Sequence, residues 1–556
     1  MRKDEDLKAE GKVSGLKFRP RGKKPLADLE NALLVGLILF IAVSHLSLFV
    51  HGGALWRDEV LTLNTATMST LGGVWDKLYC DSFPAFFPFI VRAWTGMFTC
   101  AADWPCRLLG MLIGLGCCGA LFLNARLLAG SLPFLSMALF SLNAITIRYG
   151  DSLRAYGLGT LLMLVALGCF WRVATAPTRL NVLLAALLAI LSVQTLYQNA
   201  FIVGAMCVGG VCLNLRPFNP WRIAILIGIG TAAALSYLPY MPIMERMATF
   251  KELRQVPAMW SLVWHALSQA LSSGHQLSLF LWLLLPALAM AGAAAAYFFT
   301  GLIADAKQRS LLLFSAVTML VGVIGFAVFL SILRFRTESW YYILPLALVG
   351  SCLDLISVAF VRSTTSRVVR LVVVIALVLV SAQIVWGFTL LRFTNLDSIA
   401  GYLDTQADPQ DLILVQPWYA GITFDRYYHG LAHWTTIPPL EDQHSQRFDL
   451  LKVRMAEAEP NAAVFRLIQN TLQSGHQVWW VGQIVAPQPG QHLPPLPPAP
   501  HPDSGWYSGP YIQHWALQTG DLIQSHATSV QLISLPAIDP VDPVEAGQLL
   551  VAEGWQ

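Results

Sequence analysis

Charged residues are scarce in this sequence, and their scarcity excludes an ordinary soluble protein. Asp, Glu, Lys and Arg make up 12% of the 556 residues, whereas soluble domains contain about 25%. The deficit is concentrated between Ala32 and Leu391, where apolar runs of about 20 residues recur, each long enough to cross the hydrocarbon core of a bilayer. The composition therefore predicts an α-helical polytopic membrane protein.

Several familiar signatures are also missing. The sequence contains no internal repeat, no P-loop, no dinucleotide-binding fingerprint and no Cys/His set with metal-ligand spacing. The formal net charge of +3 is small, and we expect no nucleic-acid partner. The first apolar run has no small-residue cleavage site, so the basic N-terminus is not a cleavable signal peptide.

Cysteine occurs at nine positions, and most of these lie inside apolar runs, where a thiol acts as a small hydrophobic group. Three of them, Cys80, Cys100 and Cys106, fall in the first long loop. If that loop lies outside the cytoplasm, Cys100 and Cys106 could form a disulfide, but an odd number of cysteines fits free thiols equally well.

The apolar runs define about eleven candidate spans, and charge orients them. Every connection on the side of the N-terminus carries Lys or Arg, whereas loop 51–105 on the other side is rich in Asp and Glu, as the positive-inside rule requires. An odd number of spans places the C-terminus outside. The spans are 32–50, 106–126, 131–147, 155–174, 180–197, 199–214, 221–240, 277–303, 310–333, 340–360 and 368–391.

This pattern predicts three parts. Residues 1–31 form a basic cytoplasmic tail, because nine Lys or Arg precede residue 25. Residues 32–394 form the transmembrane domain. Residues 395–556 form an outside α/β domain, because short apolar strands such as Leu412–Val415 and Val478–Val481 alternate with a helical pattern at Ala462–Leu472.

Two outside segments are too short or too polar to span the membrane. The proline-interrupted run Phe83–Trp94 predicts a helix lying on the membrane surface; read as a twelfth span, it would invert the topology of all that follows. The segment 241–276 mixes charges with tryptophans and predicts an amphipathic surface helix followed by an interfacial aromatic patch.

The exit of the first span carries an unusual group of charges, Arg57-Asp58-Glu59, directly after Trp56. Adjacent carboxylates repel each other, and near a membrane this raises the pKa of one of them or demands a cationic partner. Such a carboxylate suits a general base that removes a proton from a hydroxyl. The alternative is a solvated loop in which Arg57 pairs with one acid.

Two further outside connections carry charges, and charges at span ends are costly enough to mark function. One contains Arg148, Asp151 and Arg154, and the other contains Arg334, Arg336 and Glu338. Arginines read phosphate with a bidentate fork, so the two connections together suggest a phosphate and hydroxyl site.

Each of these residues also has a plainer interpretation. Arg148 and Arg154 could snorkel at helix ends, Asp151 could cap the fourth span, and Glu338 could neutralise an arginine. The polar turn that begins at Tyr197 could be ordinary turn chemistry. Their shared position on one face of the membrane favours a site.

The pattern resembles membrane glycosyltransferases of the GT-C class, family 39-like, which include protein O-mannosyltransferases and the bacterial lipid A aminoarabinose and galacturonic acid transferases. Trp56 to Glu59 looks like the family's Asp-Glu motif, and Asp81 to Trp94 is similar to its surface helix, although the His-Pro-Pro core is Phe83-Pro84-Ala85 here. Arg148 to Tyr156 resembles the family's Y-S-Q-E-A-R-x-Y stretch, with Asp151 at the Glu position. Tyr197 lies where the family often has a T-H-Y turn.

The resemblance implies inverting transfer of a sugar from a polyprenyl-phosphate donor to an acceptor hydroxyl on a lipid, glycan or protein. It places the active site at the periplasmic side of a bacterial inner membrane. Asp58 would be the base and Glu59 would orient the acceptor. Phosphate is a good leaving group, so no cofactor is required, and a divalent cation stays possible. The remaining candidate substrate-binding residues are Arg57, Asp81, Arg148, Asp151, Arg154, Tyr197, Arg334 and Arg336.

Two other classes of protein compete with this interpretation. A transporter or flippase of lipid-linked sugars would also have many spans, but it would tend to show inverted repeats and charges near mid-membrane, which the sequence lacks. A membrane-anchored scaffold would not need the pair Asp58-Glu59. Loss of sugar transfer in Asp58→Asn distinguishes an enzyme from both.

Overall fold

The computed structural model describes residues 24–98, 102–255, 260–299, 303, 305–488, 493, 495–536 and 539–556. Helices dominate up to residue 392, and a small α/β domain follows. The predicted tail 1–31 falls mostly outside the described residues, and its last residues, from Lys24, already belong to the first helix. The suggested Cys100–Cys106 disulfide also lies outside, because Cys100 is not described.

The first part of the chain folds into seventeen described helices. They are α1 Lys24–His51, α2 Arg57–Ala66, α3 Leu71–Asp81, α4 Phe86–Met97, α5 Trp104–Asn124, α6 Phe134–Ser136, α7 Ala144–Gly150, α8 Ala155–Thr175, α9 Arg179–Val193, α10 Asn199–Leu213, α11 Pro220–Leu235, α12 Met241–Ala248, α13 Trp260–Ser272, α14 Gln276–Phe298, α15 Ala306–Leu333, α16 Ile343–Ser357 and α17 Thr364–Thr389.

Long apolar helices confirm a multi-pass membrane protein. Among the described residues, eight helical stretches are long and apolar enough to cross a membrane, and α9 and α10 are shorter apolar helices of 15 residues. Their polar ends are capped where the sequence offers a suitable side chain: Thr178 caps α9, Asn219 caps α11 and Asp305 caps α15.

The predicted third span, 131–147, crosses the bundle but not as one helix. The short α6 continues into a π-helical turn at Met137–Ser141, and the helical conformation ends at Leu142. Asn143 then caps α7 through its side-chain oxygen. The break follows from Asn143, because an Asn side chain that binds the following backbone N–H groups starts a helix and does not continue one.

Both predicted surface segments contain helices. The run Phe83–Trp94 overlaps α4, which begins at Phe86 and ends at Met97 and whose 12 residues are too few to span a bilayer. The segment 241–276 contains α12 and α13. The twelfth-span alternative therefore does not hold.

The C-terminal part confirms the α/β prediction. It contains α18 Leu396–Gln406, β1 Leu412–Gln416, α19 Gly421–Tyr427, β2 His433–Thr436, α20 Phe448–Ala456, α21 Ala462–Gln473, β3 Val478–Gly482, α22 Gly509–His526, β4 Ser529–Ile533 and β5 Gln548–Glu553.

One five-stranded sheet organises this domain, in the order β2-β1-β3-β5-β4. Strands β2, β1 and β3 are parallel, and β5 runs antiparallel to both β3 and β4. Strands β1 and β3 are buried along their whole length, which explains why they read as continuous apolar runs in the sequence.

The α/β domain packs on one end of the helical bundle, against the loops that carry the predicted site. The Tyr427 hydroxyl accepts a hydrogen bond from the Leu55 N–H at 2.8 Å, and Arg426 pairs with Asp103 at 2.6 Å. At the other end of the bundle Glu30 of α1 pairs with Arg367 and Arg370 of α17. The two ends of the molecule therefore differ, and the predicted site residues of α2 lie where the helical bundle meets the C-terminal part.

Candidate active site

Helix α2 presents the two adjacent carboxylates in its first turn, where acids favour helix formation. Successive residues of a helix point in different directions, about 100° apart. Asp58 and Glu59 therefore enter different surroundings although they are neighbours in sequence.

Glu59 is fully buried and its oxygens are occupied. Arg107 of α5 donates to Oε1 at 2.6 Å, and the Leu153 N–H donates to the same oxygen at 2.8 Å. The Trp56 N–H donates to Oε2 at 3.3 Å, which closes the carboxylate back on the start of its own helix. Glu59 thus ties α2, α5 and the 148–154 connection together.

Asp58 keeps contact with the junction between the domains. Its side chain is 19% exposed, its Oδ1 accepts a hydrogen bond from Gln446 of the α/β domain at 3.1 Å, and it lies 3.7 Å from the Arg57 Nε. Its Oδ2 has no hydrogen-bond partner within the described residues, so this oxygen is free to accept a proton.

Arg57 is held by groups from both domains. Its guanidinium lies 4.5 Å from the centre of the Tyr419 ring and 5.2 Å from that of Trp56. Its backbone N–H donates to Glu545 at 3.1 Å. Sequence reasoning missed Tyr419, Gln446 and Glu545, because they lie more than 350 residues further along the chain and no local pattern marks them.

Arg154 and Asp81 form a buried ion pair beside the two acids. The guanidinium also donates to the Asp58 carbonyl at 2.9 Å and to the Thr62 hydroxyl at 2.7 Å, and it stacks on the Phe83 ring at 4.4 Å. Arg154 does not snorkel: its charge is neutralised inside the protein, and it fixes the first turn of α2.

Arg148 is also engaged inside the protein, with a side chain that is 1% exposed. It pairs with Asp542 at 2.8 Å, donates to the carbonyl of Arg392 at 3.0 Å and lies 3.9 Å from the centre of the Phe393 ring. These contacts dock the α/β domain on the bundle, and the structure does not bring Arg148 into contact with Asp58.

Asp151 does not cap the fourth span. Its carboxylate pairs with His45 of α1 at 2.7 Å, and the N-cap position of α8 is Arg154, which makes no side-chain cap. Gly114 makes room for the pair, because a Cβ there would lie 1.8 Å from Asp151 Oδ1 and 2.8 Å from the His45 ring. Asp151 therefore anchors the 148–154 connection to the bundle.

Tyr197 lies in the turn between α9 and α10 and does not contact the Asp58 side chain. Its ring packs against Tyr237 and Tyr240, and its carbonyl accepts from the Tyr237 hydroxyl at 2.6 Å. These contacts fit the interpretation of Tyr197 as an ordinary turn residue, and they do not include Asp58 or Glu59.

Arg334 and Arg336 are exposed arginines in the connection that follows α15. Arg334 ends α15 in a left-handed conformation, with a φ of 53°, and Arg336 is 62% exposed, 3.6 Å from Glu338. A β-bridge between Phe335 and Gln255 brings this connection beside the segment that follows α12. Glu338 thus neutralises Arg336 only in part.

Arg254, in that neighbouring segment, is a functional candidate that motif reading missed. Its guanidinium donates to the Tyr341 hydroxyl at 3.3 Å and lies between 5 and 6 Å from the rings of Phe335 and Phe448. Burial lowers the pKa of Arg254, and the neighbouring Tyr341 hydroxyl and Asp58 carboxylate more than offset this, so that the pKa rises. No carboxylate within the described residues lies in ion-pair distance of it. A basic residue in an outside loop was the available sequence signal.

The pKa of the Glu545 carboxyl, at the junction between the domains, lies near neutrality. Burial raises the pKa of its carboxyl to about 7, although the Arg57 charge and two hydrogen bonds oppose that rise. Within the described part of the chain, no group of three or more His, Cys, Asp or Glu side chains is arranged to hold a metal ion.

Comparison with known proteins finds similar solved structures. No protein-family model matches the chain, and no curated protein matches it. The chain is similar to ArnT from Cupriavidus metallidurans bound to undecaprenyl phosphate, with a TM-score of 0.48, 14% identity and coverage of 80% of this chain and 92% of that chain.

Two Archaeoglobus fulgidus structures are also similar to this chain. One is the oligosaccharyltransferase in complex with Zn and sulfate, with a TM-score of 0.47, 11% identity and coverage of 80% of this chain and 67% of that chain. The other is the oligosaccharyltransferase AglB with an inhibitory peptide and a dolichol-phosphate, with a TM-score of 0.45, 10% identity and coverage of 81% and 70%.

Proposed function

We propose that the protein is a membrane glycosyltransferase that moves a sugar from a polyprenyl-phosphate donor to an acceptor hydroxyl on a lipid, glycan or protein. The resemblance of the Trp56–Glu59 and Arg148–Tyr156 stretches to GT-C enzymes supports the reaction class. The meeting of an available carboxylate with arginines at one end of an apolar bundle supports the chemistry.

Asp58 is the general base in this proposal. The observation that carries this choice is the contrast between the two acids: Asp58 is 19% exposed with a free oxygen, whereas Glu59 is buried and fully bonded. Asp58 takes the acceptor proton as the acceptor oxygen bonds to the anomeric carbon. The bond between the anomeric carbon and the phosphate oxygen breaks at the same time, and the polyprenyl phosphate leaves. Displacement from the opposite face inverts the anomeric centre.

Arg254, with Arg334 and Arg336, binds the donor phosphate in this proposal. Arg254 lies close enough to Asp58 for the two charges to interact, and its fork is not committed to a carboxylate in the described structure. Electrostatic stabilisation of the departing phosphate is the main help that an enzyme gives to such a reaction. An assay with and without EDTA measures whether sugar transfer depends on a divalent cation, which Asp58 would hold and which would help to neutralise the phosphate charge.

The ion-paired candidates have positioning roles. Arg154 with Asp81 fixes the first turn of α2, Arg148 docks the α/β domain, and Asp151 anchors the 148–154 connection. This assignment replaces phosphate binding by Arg148 and Arg154. Each of these guanidinium groups already neutralises a buried carboxylate, and if it moved to bind phosphate, that carboxylate would lose its partner at a cost of several kcal/mol.

The proposal places the active site and residues 395–556 at the periplasmic face of a bacterial inner membrane. The basic connections at the other end of the bundle support this orientation. The decisive experiment is sugar transfer by the purified protein in nanodiscs, supplied with polyprenyl-phosphate sugars and membrane lipid acceptors and followed by mass spectrometry. A sugar-modified product in the parent and none in Asp58→Asn is the expected result.

A further inference from the structure

Glu545 belongs to the last loop of the α/β domain, yet it sits at the N-terminus of α2. We infer that Glu545 is a positioning residue of the proposed active site, which fixes the first turn of α2 and acts through its charge on Asp58. The inference rests on the proposed function and goes beyond it, because it makes the α/β domain a working part of the site.

The contacts of Glu545 are specific and buried. One carboxylate oxygen accepts from the Arg57 N–H at 3.1 Å and the other accepts from the Thr423 hydroxyl at 3.0 Å, and the residue is 7% exposed. Arg57 is the first residue of α2, where backbone N–H groups lack partners within the helix and a negative charge is stabilising. Glu545 supplies both the partner and the charge.

The loop that carries Glu545 is itself fixed to the linker between the domains. The Arg392 N–H donates to the Pro540 carbonyl at 2.9 Å, the Asp542 N–H donates to the Arg392 carbonyl at 3.0 Å, and the Gly547 N–H donates to the Asn395 side chain at 2.7 Å. These bonds hold the backbone on both sides of Glu545 in place beside the bundle, so the contact with α2 is part of the folded domain junction.

The charges around Glu545 explain how it reaches Asp58. The titratable groups that interact with it are Arg57 and Asp58 of α2 and Tyr419 of its own domain. Arg57 therefore balances two carboxylates. When Glu545 is ionised, its negative charge competes with Asp58 for Arg57 and leaves the Asp58 carboxylate more available to the acceptor hydroxyl; when Glu545 is protonated, Arg57 is drawn to Asp58 alone.

The ionisation of Glu545 sets the direction in which pH changes the rate of sugar transfer. Burial raises the pKa of Glu545 to about 7, so the ionised form accumulates as the pH rises through neutrality. The kcat/KM for sugar transfer should therefore rise through about pH 7 in the parent protein.

The test is the pH profile of Glu545→Gln. Gln keeps an oxygen for the Arg57 N–H but carries no charge. We expect the step near neutrality to disappear and kcat/KM at about pH 8 to fall roughly 3- to 10-fold, as expected for loss of one nearby charge. Donor affinity should not change. The control is Asp103→Asn, which removes the half-buried junction pair with Arg426 and should keep the step.

Thr423→Val provides a second route if Glu545→Gln does not fold. It removes a hydrogen bond that favours the ionised carboxylate, so the step should move to higher pH. A step that is unchanged in both variants overturns the inference. Absence of sugar transfer by the parent protein overturns the proposed function instead, so the two failures are distinct.

Discussion

At the scale of single residues, burial separates groups that the sequence presents as equivalent. Asp58 and Glu59 are adjacent acids, and the sequence predicts that they need a cationic partner and lie close to the membrane. The sequence does not show which of the two carboxylates stays free to bind substrate, because this depends on Arg107 and Leu153, which donate to Glu59 from two other elements. The same holds for Arg148, whose partner Asp542 lies in another domain.

Glu59→Gln should destabilise the protein more than Asp58→Asn does. Removing the Glu59 charge leaves Arg107, which is 5% exposed, without its carboxylate, and breaking a buried pair costs about 3–5 kcal/mol. Asp58 is 19% exposed, lies 3.7 Å from Arg57 and accepts one hydrogen bond from the uncharged Gln446 side chain, so its removal leaves no buried charge without a partner. Thermal unfolding of both variants in detergent checks this; equal unfolding temperatures would contradict the role given to Glu59.

Arg254→Ala should weaken binding of a polyprenyl-phosphate sugar about 10- to 100-fold, because charge-assisted hydrogen bonds contribute about 1.5–3 kcal/mol. Arg254→Lys should lose less, since it keeps the charge without the fork. Arg246→Ala is the matched control: Arg246 belongs to the neighbouring α12 and stacks on Tyr79 at 3.9 Å. Binding measured by tryptophan fluorescence in nanodiscs should not change in the control, and unchanged binding in Arg254→Ala would remove Arg254 from the site.

At the scale of elements, apolar length and capping chemistry made most helices predictable, and close packing decided the exceptions. The third crossing breaks at Asn143 although its composition is apolar enough for a span. Helix α5 can approach the 148–154 connection closely only because it has glycines on that side. Hydropathy averages over such details, so it predicts that a crossing exists and not where it breaks.

Gly110→Ala should therefore destabilise the protein, since a Cβ there would lie 1.7 Å from the Asp151 carbonyl oxygen. Overpacking typically costs about 1–3 kcal/mol. Gly119, on the same helix, has no atom within 4 Å of the corresponding Cβ, and Gly119→Ala should be neutral or stabilising by about 0.5–1 kcal/mol. The unfolding temperature should fall in Gly110→Ala and should stay the same or rise in Gly119→Ala. A similar fall in both variants would contradict the close approach of α5 to Asp151.

At the scale of the whole molecule, the sequence predicts a helical membrane domain followed by an α/β domain, and the structure confirms both. The sequence places the boundary between the two parts near residue 395, and α18 begins at Leu396. The way the two domains meet was not predictable, because the contacts of Gln446, Asp542 and Glu545 with the bundle join residues that are far apart in sequence.

The two ends of the molecule should lie on opposite sides of the membrane. Ser525→Cys, at an exposed position of α22, should react with a membrane-impermeant maleimide in intact spheroplasts, whereas Lys307→Cys, at the exposed start of α15, should react only after permeabilisation. The positive-inside pattern is the physical reason. Labelling of Lys307→Cys in intact spheroplasts would reverse the orientation and place the site on the cytoplasmic side.

The most direct measurement is the turnover of Asp58→Asn in nanodiscs, with donor binding measured separately. Asn is nearly isosteric with Asp and cannot take the acceptor proton, and loss of a general base typically slows a reaction about 100- to 10,000-fold. We predict such a fall in kcat together with donor binding and an unfolding temperature close to those of the parent. Normal turnover by Asp58→Asn would contradict the account.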